Sequence, residues 1–323
     1  MLRYTMQRIF LLIPVMLGVM VLVFIFQYVS PDDPALIILG AHSTEEEREA
    51  KRDELGLNDP IPVQFFNYLK TFVTTGSLGT SYRTGLDVTR DILRRLPTTA
   101  ILAFGSVIVS VLLSIPLGVL AAVKQYTPID SGLLAFSVIG NCIPNFWLAL
   151  LLITLFAVNL RILPTSGIGT WKHWVLPIIV SSLATLSQQI RLTRSSMLEC
   201  IRQDYVRTAR AKGQKEWIVV FKHALRNSLL PVITSVGAAL GRLLGGAIII
   251  EAVFGIPGVG LYAVEAIRYR DYPAVMGCVV FLAFVFSIIS LLVDFTYVFV
   301  DPRVKSGLLG KKKASFSKTK LSA

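Results

Sequence analysis

The chain has 323 residues, 54% of them hydrophobic and only 16% charged, with a mean hydropathy of +0.65. A soluble domain carries roughly 25% charged residues, so this balance excludes a soluble globular protein and points to one integral to a membrane. The net charge of +12 reads as membrane loops biased toward Lys and Arg, not as a nucleic-acid binder.

Cys142, Cys200 and Cys278 lie far apart and supply neither a metal-ligand spacing nor a disulfide framework. The first apolar run, Ile9–Val29, follows Arg3 and Arg8. It is too long for a signal-peptide core and lacks a small-residue cleavage site, so it reads as a retained membrane helix. A polar excursion follows over residues 31–96. STEEEREAKRDELGL predicts a short exposed helix: Thr44 or Ser43 is its N-cap, acids crowd its first turn and Gly56 ends it. NDPIPVQFFNYLKTFV predicts a second helix with Phe65, Tyr68, Leu69 and Phe72 on one stripe. The Gly-rich turn GSLGTSYRTG closes the excursion, whose eight bases against eleven acids suit the extracytoplasmic side.

Further spans are expected at Thr98–Val123, Ser131–Val158, Trp174–Ile190, Ser228–Val253 and Ala274–Val300. The third is interrupted by GNCIPNFW, where Pro144 removes a helix hydrogen bond and Asn141 and Asn145 flank the kink. That kink reads either as packing between helices or as part of a pore. Trp171 and Trp174 anchor the start of the fourth span at an interface. The fifth is rich in small residues that let helix backbones approach closely. Residues 254–273 form an outer loop with FGIPGVG and RDYP. The chain is therefore expected to be an all-α integral membrane protein of six transmembrane helices with both termini cytoplasmic. Its parts are an N-terminal helix (1–30), the extracytoplasmic insertion (31–96), a five-helix core (97–303) and a basic tail (304–323).

Within that core, 192–230 is a polar device between spans. Over residues 191–227, nine bases face three acids, which puts the segment in the cytoplasm. Asp204 suits an N-cap, Tyr205–Lys212 a two-turn helix, and Gly213 a left-handed stop. Arg210 and Lys212 sit at its negative end. A second helix starts near Lys215 with Trp217, Val220, Phe221 and Ala224 on one face, and Pro231 closes the unit. Such a helical hairpin serves either as a basic loop that fixes topology and touches anionic lipid, or as a docking surface for a cytoplasmic partner.

DYVRTARAKG followed by HALRNSLLP resembles the EAA coupling segment of inner-membrane subunits of bacterial ABC importers. More narrowly, the chain resembles the B-type permeases of dipeptide, oligopeptide, nickel and glutathione systems. In the motif Glu-Ala-Ala-x3-Gly this chain has Arg207, Thr208 and Ala209, then Gly213, departing at the first two positions; it has Leu225-Arg226 where other importers have Leu-Pro. The likeness spans nearly the whole chain, through PDDPA (31–35), ELGLNDPIPVQ (54–64), GSLGTSYRTG (76–85), IPLGVLAAVK (115–124), IPNFWL (143–148), LTRSSMLE (192–199), EAVFGIPGVG (251–260) and DPRV (301–304).

The resemblance implies the type I importer permease fold in the bacterial inner membrane. It implies half of a pore for di- and oligopeptides, or else for nickel, a metal chelate or glutathione. The partners implied are a C-type permease, two cytoplasmic ABC ATPases and an extracytoplasmic binding protein, with membrane lipid around them and no nucleic acid. Asp204, Tyr205, Arg207, Thr208, Ala209, Arg210 and Gly213 are the ATPase-coupling candidates. Asn141, Pro144, Arg242 and Glu251 are the pore or gate candidates, with Glu251 near the outer mouth and Asp294 toward the inner end of the sixth span. No cofactor, metal or catalytic residue is expected, and no GxxxxGK[ST] phosphate loop occurs in the sequence. An ion-coupled secondary transporter would need midplane acids and inverted discontinuous helices, which the sequence does not display. A membrane enzyme would need a site, and His42, His173 and His223 fall in loops without nucleophile or metal spacing.

Overall fold

The computed structural model describes residues 2–29 and 33–300. The DPRV motif and the basic tail lie outside the described residues, as does the side chain of Asp294. The described backbone is helical, with one isolated bridge between Thr80 and Asp87. The helices are α1 (Leu2–Val29), α2 (Pro34–Leu39), α3 (Glu45–Glu54), α4 (Ile61–Thr75), α5 (Val88–Val123), α6 (Pro128–Cys142) and α7 (Asn145–Leu152). They continue as α8 (Lys172–Ile201), α9 (Asp204–Ala211), α10 (Glu216–Ile218), α11 (Leu225–Gly246), α12 (Ile248–Phe254), α13 (Val259–Arg268) and α14 (Tyr272–Val300). Wider π-helical turns extend α7 over Ile153–Asn159 and join α10 to α11 over Val219–Ala224.

Five stretches are long and apolar enough to cross a membrane: Phe10–Val29, Val88–Val123, Lys172–Ile201, Glu216–Gly245 and Tyr272–Val293. Two bent pairs, α6 with α7 and α12 with α13, bring the count to as many as seven, which brackets the expected six. Large apolar side chains such as Phe10, Leu22 and Phe26 of α1 and Leu112 of α5 are exposed. In water this would be an aggregation surface. On a helix that satisfies its own backbone it is the surface a bilayer covers.

The chain forms two compact units. The first comprises, among the described residues, 2–29, 33–104, 145–181 and 242–287. One of its cores joins Met20 and Phe24 of α1, Val88 and Ile92 of α5, Tyr262 and Ala263 of α13, and Met276 and Val280 of α14. The stripe Phe65, Tyr68, Leu69 and Phe72 of α4 packs on this core, with the Phe24 and Phe65 rings edge to face at 5.3 Å. The i, i+3, i+4, i+7 spacing therefore found the buried face. A second core gathers Leu102, Leu176, Val180, Ile250 and Phe254. The outlying helix α3 buries no residue and stands on local chemistry. Thr44 caps it in a reciprocal box with Glu47, and Gly56 follows its end at φ +66°. Arg52 ties it to Asp33, the N-cap of α2, at 2.6 Å.

The second unit comprises, among the described residues, 105–144, 182–241 and 288–300. Its core collects Val119 and Ala122 of α5, Met197 of α8, Val206 and Ala209 of α9, and Val219, Val220 and Ala224 of the π-helical turn.

Several boundaries differ from the sequence expectation. The second span starts at Val88, not Thr98, because helix runs unbroken through the end of the polar excursion. The fourth extends to Ile201, so Arg191 and Arg194 belong to a membrane helix and not to a loop. The fifth does not begin at Ser228: helix continues from Glu216, with Pro231 inside it, and ends at Gly246 instead of Val253. The end of the expected fifth span is a separate helix, α12, and the expected loop 254–273 contains α13, bent by 82° from α12. The third span is broken at Ile143–Pro144 and resumes at Asn145, since proline cannot donate to the helix ladder.

Candidate functional site

The amphipathic α9 buries two of its eight residues and exposes the rest. Its N-cap is Gln203, not Asp204; Gln203 makes no side-chain cap bond, and Asp204 is the first helical residue. There its carboxylate still favours the positive helix end. Val206 and Ala209 are buried, whereas Asp204, Tyr205, Arg207, Thr208 and Arg210 are exposed. Of the seven coupling candidates, Ala209 is thus the inward anchor and the others form the presented surface. Burial raises the Tyr205 hydroxyl pKa. The Asp204 and Arg207 side chains approach only to 3.9 Å, a weak surface pair.

Gly213 has φ +73° and its amide donates to the Arg210 carbonyl at 2.9 Å. That left-handed residue stops α9 and reverses the chain. Arg210 then forks across the turn onto Glu216, Nε to Oε2 at 3.1 Å and Nη2 to Oε1 at 2.7 Å. The Glu216 carboxylate beside it holds the Arg210 pKa above its ordinary value. His223 Nε2 and Gln214 Oε1 meet at 2.7 Å and add a second tie. The hairpin is closed by its own side chains. The sequence reading missed Glu216, although an Arg and a Glu six apart around a glycine reversal was a usable signal.

The expected stripe Trp217, Val220, Phe221, Ala224 does not form one buried face. The π-helical turn fits more residues per turn and rotates the register. Val219, Val220 and Ala224 go inward, while Trp217 and Phe221 are 65% and 55% exposed.

The pore candidates separate. Asn141, Pro144 and Arg242 are exposed. Glu251 is 0% exposed and neither snorkels nor lines a mouth. Thr99 Oγ1 donates to its Oε1 at 2.7 Å, and the Leu261 amide donates to Oε2 at 2.9 Å. Thr99 Oγ1 in turn accepts from the Val259 amide at 2.9 Å. Gly258 and Gly260 lie so close to this carboxylate that a Cβ at either would collide with it. Glu251 is thus the pin that holds the turn between α12 and α13. A buried carboxylate is tolerated where donors surround it, and the sequence had no way to reveal Thr99, 152 residues earlier, as one of them.

Residues 114–306 match the family described as binding-protein-dependent transport system inner membrane component, and residues 1–103 match its N-terminal counterpart. The chain is 40% identical to the oligopeptide transport system permease protein AppB of Bacillus subtilis (strain 168), over 94% of this chain and 99% of that one. It is 38% identical to the dipeptide transport system permease protein DppB of Alkalihalophilus pseudofirmus, over 94% and 100%. It is 39% identical to the glutathione transport system permease protein GsiC of Pectobacterium atrosepticum, over 94% and 99%. Among solved structures, an inward-facing form of the MetNI methionine ABC transporter shares the fold, with TM-score 0.54 at 21% identity over 65% of this chain and 96% of that one.

Proposed function

This chain belongs to the binding-protein-dependent transport inner membrane components, and from that premise we propose that it forms half of an import pore for di- and oligopeptides. It is a multi-pass permease subunit and not itself a catalyst. Peptide is taken as the first reading on the likeness to the oligopeptide permease AppB and the dipeptide permease DppB, and glutathione is the second on the likeness to GsiC. In this reading the chain pairs with a second permease, and an extracytoplasmic binding protein delivers substrate. Two cytoplasmic ATPases hydrolyse ATP, and α9 docks into one of them. The termini and α9 face the cytoplasm and residues 31–96 face outward. Asn141, Pro144 and Arg242 face the pore.

The observation that carries the reading is the construction of α9. It is short, buried on one face by Val206 and Ala209, stopped at Gly213 and closed by the Arg210–Glu216 fork. A stiff element presenting Asp204, Tyr205, Arg207 and Thr208 transmits force, where a solvated loop would absorb it. The test is a single cysteine at Thr208 in the assembled importer. A crosslink to the ATPase is expected, with its yield changing on ATP binding. No adduct in a complex that imports peptide would refute the docking role.

A further inference from the structure

We propose that Asp130 and Arg194 form a positioning pair that locks α6 to α8, so that displacement of α9 reaches the broken third span. The inference rests on the reading of α9 as the ATPase-docking helix. Asp130 lies in the first turn of α6, and its side chain is only 3% exposed. Arg194 forks onto it from α8, Nε to Oδ1 at 2.6 Å and Nη2 to Oδ2 at 2.7 Å. The Tyr126 amide donates to Oδ2 at 3.0 Å, which fixes the short loop ahead of α6 as well. One turn earlier on α8, Arg191 donates to the Ser137 carbonyl of α6 at 3.1 Å. Between these two contacts α6 is held by direction as well as by apolar packing.

One turn later on α8 comes Met197, fully buried in the apolar cluster that also holds Val206 and Ala209 of α9. The path from docking helix to broken span is therefore α9, Met197, Arg194, Asp130, α6. Every link lies within the second compact unit.

Stability alone does not account for the pair. A buried ion pair is often no more stabilising than apolar side chains of the same volume. What a bidentate fork adds is a fixed angle between the two groups it joins. An apolar contact slides, whereas the fork is either made or broken. That is the behaviour a coupling between two states requires.

The experiment uses the whole importer in liposomes: this chain with its partner permease, ATPases and binding protein. The quantity read is substrate imported per ATP hydrolysed. Asp130→Asn and Arg194→Gln should each lower this ratio by about tenfold. The exchanged double variant, Asp130→Arg with Arg194→Asp, should recover most of it. Single variants that assemble and keep the wild-type ratio overturn the proposal. If they do not assemble, Arg194→Lys keeps the charge and removes the fork: a lowered ratio supports the pair's role and a wild-type ratio overturns it. A wild-type complex that imports without ATP overturns the importer reading itself, and with it the role of the pair, before any variant is made.

Discussion

Asp33 shows how much one side chain does outside the spans. It caps α2 through the Ala35 amide at 3.0 Å and accepts Arg52 at 2.6 Å. The Arg52 guanidinium holds the Asp33 carboxyl below its ordinary range, against a smaller opposing effect of burial. A lowered carboxylate pKa stabilises the fold above the unfolded value, about 3.9. That contribution disappears as pH falls through the lower folded value. Thermal unfolding of purified protein between neutral pH and about pH 3 should therefore show an acid limb that Asp33→Asn makes shallower, since asparagine keeps the cap and loses the titration. Parallel acid limbs would show that the pair contributes nothing measurable. Glu45 and Glu49 also touch Arg52 but are largely exposed; water screens such contacts, so they should contribute little.

At the scale of the element, the hairpin of α9 depends on one dihedral angle. Nothing lies within 4 Å of a Cβ built at Gly213, so crowding is not what keeps glycine there. The constraint is its φ of +73°. A β-branched residue in that region costs about 1–2 kcal/mol, and asparagine costs far less. Gly213→Val should therefore loosen the turn and lower the crosslinking yield from a cysteine at position 208 several-fold. Gly213→Asn should leave the yield near wild type. Equal yields from the two variants would mean that the side-chain ties to Glu216 and Gln214 hold the hairpin without the backbone reversal. The π-helical turn is the second lesson of this segment. Counting by 3.6 residues placed Trp217 and Phe221 inward with Val220, and one wide turn moved them out.

For the whole molecule, the proposed arrangement in the membrane rests on the charge of its segments. An excess of acids in 31–96 and of bases in 202–227, after α8 ends, is the argument for opposite sides. In oriented vesicles, a cysteine replacing exposed Glu46 of α3 should react with an impermeant reagent only from the outside. A cysteine replacing Lys212 should react only from the cytoplasmic side. Labelling of both positions from one side would break the topology. Four long helices, α5, α8, α11 and α14, each contribute residues to both compact units.

The sequence alone determined the class of protein, the number of spans to within one and the core-facing stripe of α4. These follow from composition and local periodicity, because a bilayer forces every segment inside it to be apolar and internally hydrogen-bonded. Local rules also sufficed to narrow the N-cap of α3 to Ser43 or Thr44, of which Thr44 caps it, and for the stop at Gly213. Tertiary structure decided what periodicity does not encode. Thr99 meets Glu251 across 152 residues, and Arg194 meets Asp130 across 64. Buried polar groups must find donors and acceptors wherever the fold brings them. A string of residues states which groups need partners, and only the packed chain selects them.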